Sequence, residues 1–251
     1  MTTRFLAAVL PVFFLSVSVL FAADEVILRG FFKPVEQVTL SSRAKGTTSF
    51  VAEEGAAVQA GEVLMRLEDS LERINLEQQR TVLEKRAFEA QSVERLSRDR
   101  AISEDQAMTA RVNLELARLQ VAFAEAQLER TTVSAPFSGY ISRRYREPGE
   151  AVDEFIPLLT LVNFSEVLLE AHVHVDAIAR VREGLEVEVL VSAFPDEVFQ
   201  GRVSFVAPVV DPATHEFLVR VRVANDKGVL RPGMRASGSV RPSGVAQVKV
   251  P

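Results

Sequence analysis

Three histidines are all the imidazole in this 251-residue chain, and two of them, His172 and His174, stand two apart in the stretch VLLEAHVHV. On a strand, residues two apart share a face, so the pair could aim two nitrogens at one metal ion. Asp176 is the one further ligand type close by in sequence. The competing reading, a strand face carrying solvent-exposed or packed histidines, is the commoner one, and no metal is assigned. His215 follows Asp211 and Pro212 and reads as a surface turn residue. None of the serines lies in a G-x-S-x-G elbow, and no glycine-rich phosphate loop or paired-carboxylate motif is recognisable. Cysteine is absent, which removes thiol catalysis, thiolate metal sites and disulfides together. The sequence names no catalytic residue, no metal ligand and no cofactor, and the chain does not read as an enzyme.

Composition narrows the partners. With 47% hydrophobic residues the chain can bury a sizeable core. A net charge of -5, with the two signs mixed along the chain, leaves no basic stripe for a phosphate backbone. Met1 to Arg4 carries one positive side chain, Phe5 to Phe21 is free of charge and mostly apolar, and Ala22 and Ala23 give way to Asp24 and Glu25. Residues 1–23 therefore read as a secretory signal or an N-terminal anchor. Export to the periplasm is expected.

The element that must position any site is the stretch from Leu71 to Arg130, which contains neither Gly nor Pro. Met108, Val112, Leu116, Leu119, Phe123 and Ala126 repeat at spacings of three and four, a helical stripe. Leu76, Leu83, Ala87, Ala90 and Val93 form a second, less regular one. A polar patch from Ser97 to Asp105 separates them, so the expectation is a helical hairpin over 71–130 whose two stripes form its interior seam. Helices of about 28 residues at 1.5 Å per residue run roughly 40 Å and should project from their domain; a buried core pair is the alternative.

Two β segments flank the hairpin and align on each other. Gly55 and Gly149 are followed at matching intervals by Val58 and Val152, by Leu64 and Leu158, and by Leu67 and Leu161. A repeat of this kind makes each segment half of one small sandwich, with the hairpin inserted at the join. Such half-sandwiches also build lipoyl and biotinyl carriers, whose modified lysine sits on the hairpin joining the halves. Here the join is Glu68, Asp69 and Ser70, while Lys33 and Lys45 precede it and Lys85 lies within a helix. Covalent carriage is not expected.

From Glu166 onward alternating strands dominate. In FLVRVRVAN, Val219, Val221 and Val223 should line a core while Arg220 and Arg222 face solvent. Six or so such strands indicate a small closed barrel. The terminal candidate strand AQVKV should pair with the segment after residue 24 in a third, incomplete β module.

Taken together, the stretch from Gly46 to Glu68 ending EGAAVQAGEVLMRLE, the return TTVSAPFSGYI (Thr131 to Ile141), and the segments from Ala193 to Val223 and Leu230 to Val240 resemble the periplasmic adaptor subunits, or membrane fusion proteins, of tripartite efflux pumps of the resistance-nodulation-division type. The resemblance implies a mainly β fold with an α-helical coiled-coil hairpin. Its parts would be a split lipoyl-like (barrel-sandwich hybrid) domain at 39–70 plus 131–165, the hairpin at 71–130, a small six-stranded β-barrel at 166–241, and a partial membrane-proximal β module at 24–38 plus 242–251. It implies a periplasmic protein associated with the inner membrane that joins an inner-membrane transporter to an outer-membrane channel and self-associates into a ring, commonly a hexamer, for export of small molecules. A periplasmic scaffold without a conduit is the alternative. The family's hairpin tip often carries Arg, then Leu four positions on, then Ser seven further. Leu96 and Ser103 fill the last two places, with Ile102 before the serine, and Ser92 stands where the arginine would be. These four are the expected partner-binding residues.

Overall fold

The computed structural model describes residues 26–98 and 102–240. Its first strand, β1 (Val26–Ser41), runs through two domains. Next come β2 (Gly46–Val51), β3 (Ala57–Val58) and β4 (Val63–Leu67), then the helices α1 (Ser70–Arg98) and α2 (Glu104–Arg130). The chain returns through β5 (Thr132–Ser134), β6 (Gly139–Arg144) and β7 (Ala151–Val152) into the long β8 (Pro157–His174). A short 3-10 turn, Val175–Arg180, precedes β9 (Glu186–Val191), β10 (Phe194–Val206), β11 (Glu216–Ala224) and β12 (Arg235–Val240).

The strand order β1-β12-β9-β10-β11-β8 closes where β1 also pairs with β8, giving a six-stranded antiparallel barrel without a free edge. Period-two alternation fills it as the sequence demands: Val219, Val221 and Val223 are buried together with Val187, Val189, Val167 and Leu169. Arg220 and Arg222 face outward onto Glu170 and Glu166, at 2.9 and 2.8 Å. Asn225 is buried at the end of β11, and its amide donates to the carbonyls of Phe164 and Leu230 while its oxygen accepts from Leu230 N–H. That ties down a corner whose backbone groups would otherwise lack partners.

The N-terminal strand departs from the expectation that 24–38 and 242–251 form a module of their own. Residues 26–34 of β1 are barrel residues, paired with β12 on one side and β8 on the other. From Glu36 the same strand continues along β8 into the sandwich. Pro34, which has no N–H to give a ladder, sits at a register shift and does not break the strand. The candidate partner strand AQVKV lies outside the described residues.

The two halves of the repeat fold into the sandwich and interlock. Gly55 and Gly149 take φ of 85° and 90°, a conformation cheap only for glycine. Each turn then reaches the other half: Gly55 N–H donates to the Ile141 carbonyl, and Gly149 N–H to that of Thr48. The repeated apolar residues Val58, Leu64 and Leu67, and Val152, Leu158 and Leu161, are all buried.

The hairpin forms as the sequence predicts, and on α1 the expected Leu76 and Leu83 line its seam, but on α2 the seam is a different set of residues. Ala107, Ala117, Val121 and Ala124 of α2 are buried, with Ala110 and Leu114 half-buried between them and Leu128 half-buried one turn beyond. These repeat every three or four residues, a heptad seam. Leu76 and Leu83 of α1 pack against it. The stripe expected to form the seam, Met108, Val112, Leu116, Leu119 and Phe123, lies on the outer face and is exposed, as is Ala126. Small residues let two helices approach closely, so alanine rather than the bulkier set faces inward. At the base, Arg130 donates to the Arg43 carbonyl through Nε (3.0 Å) and Nη2 (2.6 Å) and pairs with Glu154. The hairpin is thereby tied to the sandwich it leaves.

Candidate functional site

The candidate site is the hairpin tip, where α1 ends and α2 begins. Ser103 has extended backbone angles, φ -73° and ψ 153°, and caps α2. Its hydroxyl accepts from Gln106 N–H at 3.3 Å, while Gln106 Oε1 accepts from Ser103 N–H at 3.2 Å. This reciprocal box satisfies two of the backbone donors that every helix start leaves open. Glu104 and Asp105 follow in the first turn, where carboxylates meet the positive end of the helix dipole favourably.

Leu96 and Ile102 stand on either side of the turn, Leu96 exposed and Ile102 half-buried. Ser92 lies a turn further down α1, and its hydroxyl donates to the Phe88 carbonyl of its own helix at 2.9 Å. Arg95 Nη2 lies 3.5 Å from that hydroxyl, at the long limit of a hydrogen bond. Leu96, Ile102 and Ser103 are thus gathered at the two helix ends, and Ser92 is set back from them.

An ion pair fixes the register just below the tip: Arg111 Nη2 lies 2.7 Å from Glu94. The hydrogen bond with Glu94 holds the guanidinium above its ordinary pKa. Lower down, Arg80 and Glu125 make the same kind of cross-helix contact at 3.0 Å. Neither pair is legible in the sequence, because a contact across a hairpin has no fixed spacing until the turn is placed.

The histidines occupy the barrel rather than the tip. His172 and His174 both point outward from β8 and are exposed. His174 Nδ1 lies 3.0 Å from Asp176 Oδ2, and its ring centroid is 6.5 Å from that of His215. Among the described residues no group of three or more His, Cys, Asp or Glu side chains is arranged to hold a metal ion. The sandwich join at Glu68 to Ser70 leads directly into α1, with no hairpin there to present a lysine.

Comparisons with known proteins agree with this architecture. Residues 166–244 match the family model described as the CusB-like β-barrel domain. The nodulation protein NolF of Rhizobium meliloti is 29% identical over 237 residues, covering 87% of this chain and 64% of its own length, so the chain spans less than two thirds of that relative. Among solved structures, a MacA-MexA chimera containing the Pseudomonas aeruginosa MexA α-hairpin domain superposes with a TM-score of 0.78 at 18% identity, over 87% of this chain and 81% of the other. The membrane fusion protein Spr0693 of Streptococcus pneumoniae gives 0.74 at 17% identity, over 87% and 100%.

Proposed function

We propose that this chain, whose barrel is CusB-like and whose fold is that of the membrane fusion proteins, works as the periplasmic adaptor of an efflux pump of the resistance-nodulation-division type. In this reading it joins an inner-membrane transporter to an outer-membrane channel and lets small molecules pass between them. The observation that carries the reading is the hairpin: helices of 29 and 27 residues inserted at the join of a split sandwich, which itself shares β1 and β8 with a closed barrel. About 40 Å of paired helix on a doubly stranded base is a strut, suited to spanning distance and transmitting displacement.

The role is mechanical. Self-association into a ring, commonly six copies, would place several hairpins around one duct, with Leu96, Ile102, Ser103 and Ser92 presented to the channel. Residues 1–23 would deliver the chain to the periplasm and, if uncleaved, hold it at the inner membrane. Among the described residues no helix is long and apolar enough to cross a membrane.

Mild crosslinking of membranes followed by purification and mass identification of partners tests the reading. The expected result is recovery of a large inner-membrane transporter together with an outer-membrane channel. Recovery of neither would overturn it in favour of a scaffold without a conduit.

A further inference from the structure

Only two strands carry the chain between barrel and sandwich, β1 and β8, and the ladder between them is irregular where they pass from one domain to the other. Between the pairs Pro34 with Val167 and Glu36 with Asn163, β1 has one residue, Val35, where β8 has three, Phe164, Ser165 and Glu166. A bulge of this kind bends its strand and leaves residues out of the ladder, and Pro34 has no N–H to offer there. The backbone by itself therefore makes a compliant joint, of the sort that absorbs hinge motion between domains.

Side chains span this joint. Phe164, in the bulge and buried, stacks on Tyr140 of the sandwich strand β6, with ring centroids 4.8 Å apart and planes 24° from parallel. The guanidinium of Arg231, from the barrel loop between β11 and β12, lies over the same ring at 4.8 Å from its centroid. One buried ring is thus gripped by an exposed side chain from each domain. We propose that Tyr140, Phe164 and Arg231 form a latch that holds barrel and sandwich at one angle across the joint. The latch belongs to the single chain and does not depend on the adaptor reading.

The arm that carries Arg231 is itself fixed to the barrel. Asn225 ties its loop to the Phe164 carbonyl and to Leu230. Gly233 N–H donates to the Phe32 carbonyl at 2.7 Å, and Phe32 N–H to that of Met234 at 2.9 Å. Within the bulge, Asn163 Nδ2 donates to Glu36 Oε2 at 2.8 Å and Asn163 Oδ1 accepts from Ser165 N–H at 3.0 Å. These bonds fasten β1 to β8 but hold no other sandwich element against the barrel, which leaves the angle to the stack. Aromatic pairs and guanidinium groups over rings have preferred geometries, so the stack selects one angle rather than merely limiting the range. Beside it a cleft of about 510 Å³ lies between Val58 and Gly139 of the sandwich and Asn225 and Asp226 of the barrel, giving the two domains room to move once the latch is open.

The absence of cysteine makes the test direct. Full-length chains carrying Ala60→Cys in the sandwich and Val198→Cys in the barrel, both exposed positions, are labelled with a nitroxide and diluted into unlabelled chains, so that electron–electron double resonance reads the distance within one chain. Circular dichroism first establishes that each further variant keeps the secondary structure of this labelled parent. The expected result is one narrow distance distribution for the parent, and one about twofold broader or more when Arg231→Ala or Tyr140→Val frees the domains to hinge. Arg231→Lys should restore little of the sharpness, because an ammonium group does not stack as a planar guanidinium does. Arg235→Ala is the control: it removes a guanidinium lying 5.5 Å over Phe31 wholly within the barrel and should leave the distribution narrow. A parent distribution that is already broad would overturn the latch. So would a distribution unchanged by Arg231→Ala, or one broadened as much by Arg235→Ala.

Discussion

Gly30 passes so close to Glu170 that a Cβ built on it would lie 1.7 Å from the Glu170 carbonyl oxygen. The strand cannot move aside, because Gly30 is paired with Ala171 of β8 on one side and Ala236 of β12 on the other. Gly30→Ala should therefore force the closing seam of the barrel apart. An overpacking cost of about 2 kcal/mol or more would lower the melting temperature of a chain this size by about 4–8 °C, read by thermal denaturation of the full-length protein. Gly46→Ala is the control, since its Cβ would meet only the Leu67 side chain at 3.4 Å. Equal melting of the two variants would show that β1 and β8 do not approach this closely.

The hairpin separates two apolar stripes that look alike in sequence. Leu119 is exposed and Ala124 is 1% exposed, so charge placed at the two positions should behave oppositely. Leu119→Glu should leave helicity and stability within about 0.5 kcal/mol of the parent. Ala124→Glu should bury an unpaired, oversized carboxylate and cost about 3 kcal/mol or more. Far-UV circular dichroism during thermal melting distinguishes them. A loss of helicity with Leu119→Glu would place the seam on the outer stripe.

The same two positions mark how far the amino-acid sequence alone can be read. Alternation in FLVRVRVA and the matched intervals after Gly55 and Gly149 are backbone periodicities, and they predict the barrel interior and the interlocked sandwich without knowledge of neighbours. The seam escapes such a reading because a search for large apolar residues finds Leu116, Leu119 and Phe123 first. Alanine at 107, 110, 117 and 124 has little hydrophobic signal, although close helix approach is what it permits. Pro34 has no N–H to give a ladder, yet an irregular register lets one strand carry it. At the tip, the capping box of Ser103 and Gln106 is present in the sequence as S-x-x-Q and gives a structural role to a residue that the family resemblance marks for partner contact.

Asn225 makes three hydrogen bonds from a buried position, two donated to the Phe164 and Leu230 carbonyls and one accepted from Leu230 N–H. Asn225→Ala leaves all three backbone groups without a partner, at about 1–3 kcal/mol each, and should destabilise the barrel by at least about 3 kcal/mol in a denaturant titration. Asn225→Asp keeps the acceptor but opposes a carboxylate to two carbonyls, so it should not restore stability. Recovery of full stability by Asp would mean that the two donated bonds contribute nothing.

The base of α1 should respond to acid. Hydrogen bonding from Arg73, both contacts at 2.8 Å, holds the Asp69 carboxyl below its ordinary pKa against an opposing push from partial burial. A carboxylate depressed in the folded state stabilises fully above its unfolded pKa and loses that contribution as pH falls through the folded value. Asp69→Asn should thus melt below the parent at neutral pH, and the gap should close as pH drops beneath the ordinary aspartate range near about 4. A gap that persists undiminished into strong acid would show that the Asp69 charge is not what stabilises this turn.

Ser103 is where capping and partner contact can be told apart. Its hydroxyl closes the first turn of α2 through Gln106, so Ser103→Ala should cost about 1 kcal/mol locally and loosen the tip whether or not a partner touches it. Ser103→Asp retains the cap while changing shape and charge at the surface. If docking to an outer-membrane channel depends on the cap alone, Asp restores the crosslinking yield that Ala lowers. If the hydroxyl itself meets the channel, both variants lose yield, although only Ala frays the helix. Leu96→Asp supplies the reference: being exposed, it should leave hairpin stability nearly unchanged and lower channel capture several-fold. Undiminished capture with Leu96→Asp would move the docking surface away from the tip.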